Sequence, residues 1–131
     1  MVRISKEEAR ALGLAPAASK YNNDKPTYYD PDLKESLKFD SVKERDYYLL
    51  LKDRLKRGEI SDLRRQVPIE IQPAFTDIVG VEHKSINYLA DFIYKDLGGV
   101  EHIVDVKGFK TDVYKLKKKL LAYRGVIIEE V

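Results

Sequence analysis

The sequence predicts an α/β domain, one mixed sheet flanked by helices, in the order helix, three strands, helix, strand. Three observations predict it. Residues 39–57 carry Glu44, Tyr48, Leu51 and Leu55 at i, i+4, i+7 and i+11, the spacing of one helix face. Residues 86–95 and 100–106 are apolar segments joined by Asp96-Leu97-Gly98-Gly99, which reads as a hairpin. A second helix and a last strand follow. A strand–helix–strand connection of that length implies that the last strand runs parallel to a neighbour in the same sheet.

Each element has its own signal. Ser5-Lys6-Glu7-Glu8 is a capping-box pattern that opens a short helix, and Gly13 ends it. Residues 15–37 hold Pro16, Pro26, Pro31, Asn22-Asn23 and several tyrosines, and are expected to form an extended arm with little regular structure. Ser41 can cap the next helix, with Glu44 at the box position and Gly58 as the stop. Val67, Ile69 and Ile71 alternate within residues 66–75, where Pro68 and Pro73 mark an edge strand. Residues 76–85 read as a polar connection to the hairpin. Thr111 or Asp112 caps the second helix, which runs to about Arg124 with Val113, Leu116, Leu120 and Tyr123 on one face. Gly125 ends it, and residues 126–131 make the last strand. Residues 1–37 are thus an N-terminal helix and arm, residues 38–131 the core. No internal repeat is read from the chain.

Bulk properties set loose limits. At 131 residues the chain is long enough for one real core. Hydrophobic residues at 44% and charged residues at 35% describe a soluble globular protein. A net charge of +2 does not announce a nucleic-acid binder, but residues 107–124 hold seven Lys or Arg against one acid, Asp112. The absence of Cys excludes disulfides and thiolate ligands, and fits a reducing, cytoplasmic setting. No apolar run approaches the ~18 residues that span a bilayer, so no membrane role is expected. The first fourteen residues lack the apolar centre of a secretory signal.

The residues that carry chemistry are Asp91, Asp105 and Lys107. Asp105 and Lys107 lie two apart on a strand and point the same way. With Leu97-Gly98-Gly99 as a three-residue loop, Asp91 falls directly opposite Asp105, about 4.5–5.5 Å away at Cβ. Two carboxylates and an ammonium on one patch suit a divalent metal held against a phosphate. The plain alternatives are an edge-strand charge for Asp91 and a structural salt bridge between Asp105 and Lys107. Glu44 extends the stripe of Tyr48 and Leu51, where a buried carboxylate is costly unless paired or bound to metal. Its alternative is a capping box with Ser41. His83 falls in the polar connection and His102 on the face opposite Asp105, so neither is expected to bind metal.

Glu44, then Asp91, then Asp105-Val106-Lys107, on helix, strand and strand with a basic helix after them, resemble the PD-(D/E)xK nuclease superfamily, whose restriction-endonuclease-like core is αβββαβ. Within it the chain is similar to small phage and prophage proteins related to phage endonuclease I, a four-way-junction resolvase. The similarity runs from Ser19 to the end, through Ser19-Lys20-Tyr21-Asn22-Asn23, Phe39-Asp40-Ser41-Val42-Lys43-Glu44, Gly58-Glu59-Ile60, Gln72-Pro73-Ala74-Phe75, Ala90-Asp91-Phe92, Asp105-Val106-Lys107-Gly108 and Lys110-Thr111. Two departures stand out. The superfamily usually has Glu where this chain has Asp105, and the link between Asn23 and Phe39 is long.

The resemblance implies phosphodiester hydrolysis with Mg²⁺, Mn²⁺ substituting. Asp91 and Asp105 would be the carboxylate ligands and the Val106 carbonyl a third. Glu44 would hold a second metal or orient water, and Lys107 would position that water or offset transition-state charge. Lys110, Lys115, Lys117, Lys118 and Lys119 would grip phosphates, unless they are only a solvated face. Lys117 or Lys118 would come nearest the scissile phosphate. Lys20, Tyr21, Asn22 and Asn23 would contact backbone or stack on an unpaired base. Alternatively Tyr21, Tyr28 and Tyr29 pack on a partner subunit. The expected partner is branched DNA. A homodimer is expected because symmetric cutting needs two sites, in the cytoplasm of a bacterial host whose phage or prophage encodes the protein. A nicking or flap nuclease, and a non-catalytic nucleic-acid binder on the same fold, are the rivals.

Overall fold

The computed structural model describes residues 25–131, so the N-terminal helix and the candidate contacts Lys20, Tyr21, Asn22 and Asn23 lie outside the described residues. The chain divides into two units, Met1–Val42 and Lys43–Val131.

The described part of the first unit corrects the expected arm. It is an antiparallel hairpin of β1 (Thr27–Asp30) and β2 (Glu35–Lys38). Pro31, one of the residues that predict a loop, lies in its turn together with Asp32. Pro31 presets a turn dihedral. Asp30 Oδ1 accepts the N–H groups of Asp32 at 2.8 Å and Leu33 at 3.2 Å. Lys34 takes the left-handed conformation, φ 57°.

The second unit realises the predicted order with one insertion. Helix α1 (Val42–Lys56) buries Glu44, Tyr48 and Leu51. Gly58 ends it at φ 75°, a left-handed value that glycine adopts without steric cost. Strand β3 (Ile60–Gln72) begins six residues earlier than its alternating pattern suggests and occupies the edge, where Pro68 and its neighbours predict it. Residues 76–85 are not a plain polar connection. They carry most of a two-stranded ribbon, β4 (Phe75–Thr76) and β5 (Glu82–His83), whose tip exposes Ile78 and Val79. Strands β6 (Ile86–Asp96) and β7 (Glu101–Asp105) follow, then α2 (Asp112–Tyr123) and β8 (Ile128–Glu130). The sheet order is β3-β6-β7-β8, antiparallel throughout except that β8 runs parallel to β7. This is the mixed sheet and pair of helices that the sequence predicts.

A repeat that the sequence reading missed becomes plain once the turns are seen. Phe75-Thr76-Asp77-Ile78-Val79-Gly80-Val81-Glu82-His83 and Tyr94-Lys95-Asp96-Leu97-Gly98-Gly99-Val100-Glu101-His102 fold alike. In each the Asp Oδ1 accepts two turn N–H groups. The glycine lies at positive φ, 88° at Gly80 and 80° at Gly99. The histidine Nε2 sits 2.8 Å from the Asp Oδ2 and stacks on the aromatic ring, Phe75 or Tyr94. A three-residue loop ending in a left-handed glycine sets the hairpin register, and the second copy therefore fixes β6 against β7.

The face of α2 needs correction. Val113, Leu116 and Tyr123 are 61%, 57% and 93% exposed, and Leu120 is exposed as well. The packed line is Tyr114, Lys117, Lys118 and Leu121, whose core residues meet Tyr88, Ala90, Ile93 and Ile128. Hydropathy puts lysines outside. Here their aliphatic stems are half-buried while each ammonium reaches an acceptor, Lys117 the Asn87 carbonyl at 2.8 Å and Lys118 the Glu130 carboxylate at 2.8 Å. No helix among the described residues is long and apolar enough to cross a membrane.

His102 bridges Asp96 and, at 3.1 Å, Glu129 of β8. The Asp96 carboxylate first, and Glu129 second, hold the imidazole above its ordinary pKa. The bridge therefore stabilises the fold fully below about pH 6.5 and fades as pH rises through the elevated value. Thermal unfolding of His102→Ala beside the unaltered protein should show a deficit of a few degrees at pH 5.5 that shrinks by pH 9. A deficit independent of pH would show that the charge on His102 plays no part.

Candidate active site

The hairpin brings the predicted acids together. The β6–β7 register pairs Phe92 with Val104, and one further step along it sets Asp91 opposite Asp105. Asp91 Oδ2 accepts the N–H of Val106 at 2.8 Å. Asp105 is 1% exposed. Its Oδ2 accepts the Tyr88 hydroxyl and lies 3.0 Å from Lys107 Nζ. Lys107 Nζ in turn stands 4.2 Å from the centre of the Tyr114 ring. The parallel strand pins this segment, because Val131 N–H donates to the Asp105 carbonyl and Lys107 N–H to the Val131 carbonyl, at 3.0 and 3.1 Å. Burial, a hydrogen bond shared with Asp105, and the charges of Asp105 and Glu44 push the Asp91 carboxyl up to about 8. The Asp105–Lys107 salt bridge raised as the plain alternative is present, with the Asp91 carboxyl beside it.

Glu44 is 3% exposed, and its Oε1 accepts the Gln66 side-chain amide at 3.1 Å. Gln66 is the residue that sequence reading missed. It takes φ 53°, uncommon for a residue with a Cβ. Its neighbours show what this does. Arg65 pairs with Phe92 and Val67 with Ala90, which leaves Gln66 across from Asp91. Residues two apart share a face in a regular strand. Here Phe92 stacks on Tyr48 of α1, with Arg65 over the same ring, while Ala90 and Val67 pack in the cluster of α2. The strands exchange faces at Asp91. That exchange lets one carboxyl lie within the influence of Glu44 from one helix and of Asp105 beside the other. The one signal available beforehand was an amide ahead of Pro68 in an alternating strand, which is too weak to single out a residue.

Among the lysines, Lys110 and Lys118 reach Glu130 at 3.2 and 2.8 Å, and Tyr114 donates its hydroxyl to the same carboxylate at 2.8 Å. Lys115 and Lys119 line the same shallow cavity, about 380 Å³. Lys117 is tied to the sheet. His83 bonds to Asp77 within its turn, and His102 bonds to Asp96 and Glu129.

The acids offer hard oxygen donors of the kind Mg²⁺ or Mn²⁺ prefers. Among the described residues, however, no three acids or histidines stand ready as a ligand set. Each carboxylate is closed by an internal donor: Lys107 and Tyr88 on Asp105, the Val106 amide on Asp91, Gln66 on Glu44. Fold and site together define a mixed α/β protein with a closed cluster of acids and one amine at a break in strand pairing. The chain belongs to the family described as protein of unknown function (DUF1064), which matches residues 18–129. No curated protein and no solved structure matches it.

Two stability measurements test this geometry. A carboxyl raised to about 8 adds stability at low pH that is lost between about pH 4 and 8. Asn can keep the bond to Val106 without a charge. Asp91→Asn should therefore melt above the unaltered protein at pH 8 in chelator, with the gap closing by pH 5. An equal gap at both values would contradict the buried-acid assignment. At position 66, left-handed backbone should reverse the usual order, making Gln66→Gly more stable than Gln66→Ala by about 1 kcal/mol in urea unfolding. Ala outranking Gly would mean that Gln66 is not left-handed.

Proposed function

We propose that this protein is a metal-dependent DNA endonuclease of the PD-(D/E)xK type, most specifically one that cleaves branched DNA. The observation that supports it is the gathering of Glu44, Asp91, Asp105 and Lys107 at the face exchange, in the chain order and on the element types that the superfamily uses. Asp91 and Asp105 would hold Mg²⁺, with Mn²⁺ as a substitute, after Asp91 gives up its proton and Lys107 leaves Asp105. A bound divalent ion supplies charge stabilisation and acidifies water to near neutral pH. Glu44, fixed by Gln66, would orient the attacking water or take up its proton. Lys107, freed from Asp105, would face charge growing on the phosphate. The lysines of α2 would carry the flanking strand. Two symmetric cuts call for two copies of the chain, so the working form on this reading is a homodimer, in the cytoplasm of a phage-bearing host.

The complete internal pairing of the acids favours a second reading, a non-catalytic nucleic-acid binder. One experiment separates the readings. The purified protein is incubated with a synthetic four-way junction and with linear duplex, in Mg²⁺ and in chelator. Metal-dependent cutting of the junction alone is the expected result. Equal cutting of both substrates removes the branch preference, and salt-sensitive binding without cutting selects the second reading. Asp105→Asn should slow cleavage by about 10²–10³-fold and leave junction affinity within about threefold. Near-normal cutting by that variant would move the active site elsewhere.

A further inference from the structure

The Glu130 carboxylate has an unusual set of neighbours. Two ammonium groups and a hydroxyl converge on it, from Lys110, Lys118 and Tyr114. Its pKa is held down to about 2, by Lys118 first, then the Tyr114 hydroxyl, with Lys110 contributing. The donors come from two places, the loop ahead of α2 and the packed face of that helix, and they border the cavity that Lys115 and Lys119 also line. Three donors around one anionic oxygen pair is how a protein holds phosphate. The position is also suggestive. Tyr114 carries Lys107 over its ring and Glu130 on its hydroxyl, so this cavity adjoins the acid cluster through one side chain.

We infer that the cavity bounded by Lys110, Tyr114 and Lys118 is a phosphate-binding site for a nucleic-acid strand, and that Glu130 occupies it as an internal stand-in until the strand displaces it. This rests on the nucleic-acid reading above and adds a regulated subsite to it. The carboxylate lowers the protein's grip on any single phosphate. It yields to a strand that also engages the neighbouring cations, because several phosphates then compete together against one acid. Glu130 is a positioning and gating residue, not a catalytic one.

Glu130→Gln tests the inference, because the amide keeps an acceptor for Tyr114 and removes the charge. DNA affinity is followed by fluorescence anisotropy in chelator from 50 to 300 mM salt. Freed Lys110 and Lys118 should tighten binding about tenfold at 100 mM salt. They should also steepen the log–log salt slope by about two, one per added phosphate contact. Glu130→Gln with Lys118→Ala should give back roughly half of both effects. Unchanged affinity and slope in a folded Glu130→Gln protein would overturn the inference. Inorganic phosphate, titrated while the Tyr114 and lysine signals are followed by NMR, separates the two claims. Phosphate binding by Glu130→Gln without any DNA binding would keep the anion site and discard the nucleic-acid source. Failure to bind either ligand would discard the site, whatever the cleavage assay shows.

Discussion

Everything in the second unit bears on the contact between two carboxyls, Asp91 and Asp105, set side by side in a sheet. Burial and a second carboxyl alongside disfavour the ionised form, and they push the Asp91 carboxyl up to about 8. The surroundings then divide the labour. Asp105 receives Lys107 and Tyr88, the donors that stabilise an anion. Asp91 receives one backbone N–H, that of Val106. A core built only for stability would replace such a pair with apolar side chains at little cost or with gain. Its presence is a structural expense that the proposed function would explain.

Three backbone devices maintain that contact. The three-residue loop with its left-handed glycine fixes which residue of β6 opposes which residue of β7, and a slip of one would send Asp105 to the other face. The parallel strand β8 clamps Asp105 and Lys107 through their main chain. The left-handed Gln66 exchanges the faces of β3 and β6 opposite Asp91, and its side chain secures Glu44. Strain of this sort persists where the surrounding structure over-determines it, and functional sites are where it collects. None of the three devices is itself a chemical group of the site. Each decides where such a group points.

What was legible in the sequence follows from what is local. Strand alternation and a Gly-Gly turn determine a register, so the opposition of Asp91 and Asp105 could be read in advance. Connection length determined that β8 is parallel. Glu44 could be placed in the buried stripe because helical periodicity is a property of neighbours along the chain. The left-handed state of Gln66 was not legible, since it depends on packing against two helices at once. Nor was the buried face of α2, because lysines that lie flat on a sheet look identical in sequence to lysines in water. The nine-residue repeat escaped for a different reason. Its two copies differ at four of nine positions, and only their shared turn geometry shows that Asp, Gly, Val-Glu and His act as a unit. The hairpin turn at Pro31 read as loop because a turn and a loop draw on the same residues.

Net charge hid the most basic part of the protein for a related physical reason. With 24 Lys and Arg against 22 acids, the chain as a whole is nearly neutral. Screening makes an average over the whole surface the wrong quantity, since beyond about 10 Å in 0.1 M salt most exposed charges no longer affect one another. What a phosphate meets is the local set, and around α2 that set is lysine-rich with Glu130 as its counter-charge. The acid cluster and the lysine cavity thus share one design: in each, a carboxylate is met by donors from within the chain. Lys107 is to Asp105 what Lys118 is to Glu130, an internal ion pair whose partner, on the proposed readings, a more highly charged ligand would replace. Tyr114 touches both pairs. A ligand that disturbs one pair must therefore act on a ring that bears on the other, which gives occupation of the cavity a direct physical route to the lysine beside the acids.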